Sequence, residues 1–434
     1  MQLQIKNARI IDPQSDYHGR NVDIVAEEGK ISTIKDSKSN AAASVTADGA
    51  TIWKGDAGHG LTVSPGWVDL FADYCEPGYE HKETITSGLA AAASGGFTDV
   101  FIVPNTQPEI SSKSVVQFVL QRAAGNIVNL HPLGCATQQA AGKELAEMLD
   151  MRHAGAIAFT DGWKPVQNSG LMLKVLEYVN AFEGTVIQLP IEHAISAGGL
   201  MNESVVSTQL GMPGIPGIAE SIILHRDIEL LRYTRSRLHV TGISTAASVA
   251  QIRKAKQEGL RITCSATPYH LALTENMLTS YNSAYKVMPP LRGEEDRLAL
   301  LHGLADGTID CIATHHRPQE WDAKMKEFEY AADGMALQEV AFSVLWHACN
   351  PFMGIDRLVE AMSILPRDIF GLPAQKINVG EACNMTIFTT HDPHTSSLKN
   401  KRSAAFNDPF KTQEWNGRVI GIANKGTAKF NSIP

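Results

Sequence analysis

Between residues 62 and 372 the chain alternates short apolar runs with helical or loop segments, and it does so eight times. The runs fall at 68–73, 98–103, 128–133, 155–159, 185–189, 238–242, 261–266 and 309–314. Continuous apolar runs of this length suit strands buried on both faces, the situation in a parallel sheet flanked by helices. The intervening segments carry helix signals. In Ile252-Arg253-Lys254-Ala255-Lys256-Gln257-Glu258-Gly259 a helical stretch stops on glycine. Eight β/α units in series predict an α/β fold, a (β/α)8 barrel.

Such a barrel takes roughly 250 residues or more. A chain of 434 residues therefore has room for a smaller module. Both ends supply it. Leu3-Gln4-Ile5, Ala8-Arg9-Ile10-Ile11, Asn21-Val22-Asp23-Ile24-Val25 and Lys30-Ile31-Ser32-Thr33-Ile34 alternate apolar and polar residues between Asp and Gly turns. Asn384-Met385-Thr386-Ile387-Phe388-Thr389 and Gly417-Arg418-Val419-Ile420-Gly421-Ile422 repeat the pattern at the far end. The expected layout is a small β-sandwich built from residues 1–61 and 373–434, beside a barrel over 62–372. The stretch 393–407 reads as a surface loop.

Composition narrows the function classes. A formal charge of −8 over this length gives no basic footprint for nucleic acid and no polybasic membrane patch. No apolar run reaches the ~18 residues of a spanning helix, and the first residues lack a signal-peptide core. The six cysteines are scattered without a Cys-x-x-Cys pair, which suits free thiols in a reducing cytoplasm.

Barrel chemistry sits at the C-terminal strand ends. The first strand reads Ser64-Pro65-Gly66-Trp67-Val68-Asp69-Leu70-Phe71-Ala72-Asp73-Tyr74-Cys75-Glu76-Pro77-Gly78. This resembles the cyclic amidohydrolases, most closely type I dihydroorotase, whose strand runs Pro-Gly-x-Ile-Asp-x-His-x-His-x-Arg-Glu-Pro-Gly. In that family the two histidines bind metal and the arginine grips the substrate carboxylate. Here Phe71, Asp73 and Cys75 occupy those three positions.

The resemblance extends over nearly the whole chain. Val103-Pro104-Asn105-Thr106-Gln107-Pro108 is similar to Met-Pro-Asn-Thr-x-Pro and keeps the substrate asparagine as Asn105, a residue that equally suits a turn. Phe159-Thr160-Asp161-Gly162-Trp163-Lys164-Pro165-Val166 resembles Phe-Ser-Asp-Asp-Gly-x-Pro-Val. It keeps one aspartate of the pair, Asp161, and which of the two is the metal bridge stays open. Counting back from Gly199-Leu200-Met201-Asn202-Glu203 puts the strand-five ligand histidine on Leu189; His193 lies four residues beyond. Thr241-Gly242-Ile243-Ser244-Thr245-Ala246 puts the strand-six ligand on Gly242. In Lys286-Val287-Met288-Pro289-Pro290-Leu291-Arg292, Met288 replaces a substrate-binding asparagine. In Ala313-Thr314-His315-His316-Arg317-Pro318-Gln319, His315 replaces the aspartate base and Gln319 the substrate histidine.

Metal-assisted amide hydrolysis needs fixed ligands to hold zinc, a metal-bound water of lowered pKa, and a base. Phe71, Leu189 and Gly242 have no ligating side chain. Cys75, Met288 and Gln319 depart from the substrate clamp in parallel. The expectation is a pseudo-enzyme without a cofactor, serving as a structural partner. In the family, inactive chains of this kind accompany aspartate transcarbamoylase, which makes that enzyme the first expected partner. A homodimer or higher oligomer is the plain quaternary expectation. Two alternatives stand beside it. In one, Asp73, Asp161 and His315 form a rewired zinc site in an active cyclic amidohydrolase. In the other, Asn105 and Arg292 cradle a small anion in a sensor. Without a metal, Asp73 and His315 would form a buried pair.

Overall fold

The computed structural model describes residues 1–38, 42–55, 60–395, 401–410 and 413–431. Six strands open the chain: β1 (Gln2–Ile10), β2 (Asn21–Glu27), β3 (Lys30–Asp36), β4 (Ser44–Ala47), β5 (Ala50–Lys54) and β6 (Leu61–Pro65). The barrel strands follow: β7 (Trp67–Ala72), β8 (Phe97–Ile102), β9 (Asn129–Gly134), β10 (Ala158–Phe159) and β11 (Val186–Gln188). A short ribbon, β12 (Met201–Asn202) with β13 (Gly214–Ile215), interrupts the series. Then come β14 (Leu238–Thr241), β15 (Ile262–Ala266) and β16 (Cys311–Ile312). The small domain resumes with β17 (Met385–Thr395), β18 (Glu414–Asn424) and β19 (Thr427–Phe430).

The eight barrel strands pair in parallel, each with its sequence neighbours once the ribbon is set aside. Each of the eight expected apolar runs overlaps one of them, and no strand extends past its run by more than one residue. The seam between first and last strands closes at a parallel bridge between Ala72 and His316. There the Asp73 N–H donates to the His316 carbonyl at 2.8 Å. Helices such as α1 (Ile85–Ser94) cover the outside, and α1 starts on a capping box made by Thr84 and Ser87. Inside, Val68, Phe71, Phe101, Leu133, Ile187 and Ala313 fill the barrel. Phe370 plugs it from below, 5.0 Å from Phe101 between ring centres. The result is a packed core rather than a pore.

The small domain takes its strands from both chain ends, as expected. Its nine strands form one hydrogen-bonded sheet that branches at β1, which pairs with β2, β4 and β6. β6 belongs to this sheet through β1 and β17, so the sheet runs past residue 61 to Pro65. Leu3, Ile5, Val22, Ile24, Val63 and Ile387 form its core. Among the described residues no helix is long and apolar enough to cross a membrane.

The expected surface loop over 393–407 is also corrected in part. Residues 396–400 lie outside the described residues, but Ser403, Ala405 and Asn407 are buried. They dock on the barrel mouth through polar contacts. Ser403 and the Ala404 N–H donate to Glu83, and Asn407 bonds the Arg317 and Gly334 carbonyls and the Gln319 N–H. A polar composition hid this docking because hydrogen bonds, not apolar contacts, make it.

Candidate functional site: a filled barrel mouth

The mouth begins at the closed seam. The Asp69 carboxylate on β7 accepts from the Thr314 N–H at 2.8 Å, the Thr314 hydroxyl at 2.5 Å and the Gln338 amide at 2.7 Å. It thereby fixes the end of β16 against β7 and sets the position of His315 just beyond.

Three rings fill the space above that seam. Phe71 is fully buried. Its ring lies 4.7 Å from His315 and 5.0 Å from Trp163, centre to centre, and Trp163 meets His315 edge-on at 5.4 Å. Gly242 makes room for them. A Cβ on Gly242 would lie 2.4 Å from His315 Cε1, and the residue sits at φ +70°, a left-handed conformation suited to glycine. The imidazole therefore occupies the space beside strand six where the resemblance puts a ligand histidine.

His315 is 1% exposed, and burial holds its pKa well below the ordinary histidine value, with His270, Arg317 and His239 adding repulsion. It is neutral. Nε2 shares a 2.8 Å hydrogen bond with Thr241, whose hydroxyl also accepts from Ser265. Nδ1 is buried without a partner among the described residues.

The expected Asp73–His315 pair does not form among the described residues. Asp73 instead accepts from the Cys75 N–H at 3.0 Å, the Cys75 thiol and Trp163 Nε1 at 3.0 Å. A neutral imidazole offers the carboxylate no charge, and the indole takes the oxygen it would have used. Burial, reinforced by Asp73, pushes the Cys75 thiol far up, so it stays protonated.

Asp161 is engaged elsewhere. It accepts from the Thr137 N–H at 2.9 Å and from the Thr137 hydroxyl. Burial raises its pKa to about 6 despite those bonds. The rewired set of Asp73, Asp161 and His315 is thus not assembled. Among the described residues, no group of three or more His, Cys, Asp or Glu is placed to hold a metal ion. Zinc, which the resemblance implies, does not fit the residues at this mouth. Phe71, Leu189 and Gly242 supply no donor, and the rings of Phe71 and His315 take up the space.

The remaining expected positions are held by contacts within the fold. Asn105 donates to the Asp161 carbonyl at 3.0 Å and accepts from the Trp163 N–H at 2.9 Å. Its amide shapes the loop that delivers Trp163, which favours the turn reading over substrate contact. Gln319 donates to the Asp333 carbonyl. Leu189 is buried and Met288 half-buried. Arg292 is engaged within the fold. Its guanidinium bonds Ser244, Asn202 and the Ile215 carbonyl, with Glu220 at 3.8 Å. His193 is exposed on a short helix, away from the plug.

Trp163, the third ring of the plug, is not among the expected site positions. A signal was present: it replaces the glycine of the strand-four motif, next to the missing aspartate. The pairing of buried Glu83 with His316, 3.6 Å apart, was equally hidden, because Glu83 lies outside any strand end.

Comparison with known proteins agrees with this architecture. A family model described as dihydro-orotase-like matches residues 60–248. A dihydroorotase of Syntrophus aciditrophicus is 38% identical over 422 residues, covering 97% of each chain. One from Acetivibrio thermocellus is 36% identical, covering 96% of each. The solved L-hydantoinase from Arthrobacter aurescens superposes with a TM-score of 0.82 at 22% identity, over 99% of this chain and 96% of that one, a likeness of fold. With its amidohydrolase-type barrel, its strand-end motifs and full-length relatives of this kind, the chain belongs to the dihydroorotase family.

Proposed function

We propose that this chain is a dihydroorotase-family barrel without hydrolytic chemistry. It acts as a non-catalytic assembly partner in pyrimidine biosynthesis, with aspartate transcarbamoylase as the first partner to test. The observation that carries the reading is the ring plug. Phe71, Trp163 and His315 occupy the mouth where ligands, metal-bound water and substrate would have to meet. The base position holds a buried, neutral imidazole whose Nε2 is already bonded to Thr241. The partner rests on family analogy, since fold does not fix function. A homodimer or higher oligomer in the cytoplasm completes the proposal, and six buried free thiols suit that compartment.

A second reading is an active cyclic-amide hydrolase. What favours it is the name carried by full-length relatives at 38% and 36% identity. It requires the mouth to rearrange so that Asp73, Asp161 and His315 converge. A sensing role is a third reading and needs only a ligand cavity.

Dihydroorotate offered to the purified chain with added zinc tests the choice. Ring opening should not exceed the uncatalysed rate, and the chain should co-elute with aspartate transcarbamoylase in size-exclusion chromatography. Turnover abolished by a chelator would establish the hydrolase reading instead.

A further inference from the structure

The loop that follows β16 buries its lysines and exposes its large apolar side chains. Lys324 is 3% exposed and Lys286 7%. The Lys324 ammonium donates to the Ala332 carbonyl at 2.8 Å and the Lys286 carbonyl at 3.3 Å. The Lys286 ammonium donates to the Phe328 and Glu329 carbonyls, both at 2.9 Å. Burial costs an ammonium its hydration and brings Lys324 down to about 7. The carbonyl bonds offset that cost and pin the loop from within. Phe328 is buried beneath it, and the Ala332 N–H closes the loop on the Ala323 carbonyl at 2.9 Å.

On the outside, Trp321 is 52%, Met325 59% and Tyr330 68% exposed. Apolar side chains exposed singly are ordinary on a protein surface. Here three of the twelve large ones exposed among the described residues fall within ten positions, and Trp321 is the one tryptophan in that set. The Met325 N–H bonds the Trp321 carbonyl at 2.9 Å across one helical turn, which puts these two side chains on one face. They cannot fold inward, because Lys324, Lys286 and Phe328 already fill the inner side. Trp, Tyr and Met are the residue types enriched where proteins meet.

The charges of the same segment select the partner. Glu320, Asp322, Glu327 and Glu329 stand against Lys326, four carboxylates to one exposed ammonium. A second copy meeting this patch across a two-fold axis would set the carboxylates against themselves. Nucleic acid and anionic lipid are repelled for the same reason. A protein whose apolar cleft is edged with lysine and arginine complements both the rings and the charge.

We propose that residues 320–330 form a docking surface for a different protein, one that offers an apolar cleft with a basic rim, and that Trp321 and Tyr330 are the anchors. The proposal rests on the assembly-partner reading and deepens it; it does not depend on what fills the barrel mouth.

The test offers a lysate of the cells that make this protein to the immobilised full chain and to a Trp321→Ala/Tyr330→Ala variant with an unchanged urea midpoint. Should that midpoint move, Glu327→Lys/Glu329→Lys, at two exposed side chains, takes its place. Every protein held by the parent and lost with the variant is then purified and titrated against the parent by calorimetry. At least one is expected. Trp321→Ala should weaken its binding about thirtyfold, the ~2 kcal/mol of an interface hot spot. Glu327→Lys/Glu329→Lys should weaken it about tenfold at low salt, and added salt should weaken the parent's binding. Equal retention by parent and variant would overturn the surface, as would a captured protein indifferent to salt and to the charge reversal. Sedimentation of the parent alone should show the same oligomer as the variant; an oligomer that the variant loses would make the occupant a second copy and overturn the proposal. Aspartate transcarbamoylase bound equally by parent and variant would keep the assembly reading and overturn the surface. A different captured protein that meets every criterion would support the surface and remove aspartate transcarbamoylase as its partner.

Discussion

Gly242→Ala should destabilise the barrel by about 2–5 kcal/mol, the sum of left-handed backbone strain of ~1–2 and overpacking of ~1–3 kcal/mol. The added Cβ meets His315 Cε1 at 2.4 Å, with both ring nitrogens near 3.1–3.2 Å. The ring has nowhere to go. Phe71 and Trp163 flank it, and Nε2 is bonded to Thr241. Gly242→His, the change toward the family pattern, should cost more still. The steric part should vanish when His315→Ala is added, leaving the backbone strain. A double-mutant cycle in urea should therefore show a favourable coupling of at least about 1 kcal/mol. Additive costs, or a Gly242→Ala protein as stable as the parent, would mean that the ring plug is not packed as described. Functionally, the pair predicts that a single reversion at Gly242 will not restore a ligand, because the space for a histidine on strand six already holds the imidazole from strand eight.

Asp69→Ala should cost about 3–5 kcal/mol, because it strands three buried neutral donors at roughly 1–3 kcal/mol each before relaxation. Asp69 is fully buried and gathers three donors from beyond the last strand: two from Thr314 and one from Gln338. Without the carboxylate, the Thr314 N–H and hydroxyl and the Gln338 amide are left in the core without their acceptor. Asp69→Asn keeps an oxygen for one donor and should cost clearly less. The loss should localise to the seam, so hydrogen exchange at Thr314 and His316 should accelerate before that of β9 or β10. An Asp69→Ala protein within 1 kcal/mol of the parent, a shift below that of an ordinary core substitution, would show that other contacts close the barrel.

Much of the fold was legible because parallel strands buried on both faces leave unbroken apolar runs. The eight strands are legible this way, although β10 and β16 span only two residues each. The site was legible as departures at separate positions: Phe71, Cys75, Leu189, Gly242, Met288, His315 and Gln319. What the sequence hid was their compensation. Gly242 and His315 exchange volume across two strand ends, and Trp163 closes over Phe71 from more than ninety residues away along the chain. Such contacts exist only once the barrel is closed. Arg292 illustrates the converse. With Asn105 it suits a small-anion cradle by sequence, yet its partners Asn202, Ser244 and Glu220 come from three other segments. The Asp73–His315 pair was inferred from complementary types, and burial of a neutral imidazole removed the charge that would have made it.

Zinc content per chain is the most direct measurement of whether this mouth can support the family's chemistry. The purified protein, supplemented with zinc and then exhaustively desalted, should hold near-zero metal by elemental analysis. One or two tightly bound zinc ions per chain, lost together with dihydroorotate turnover in Asp73→Ala or Asp161→Ala, would contradict the non-catalytic account and establish a rewired centre.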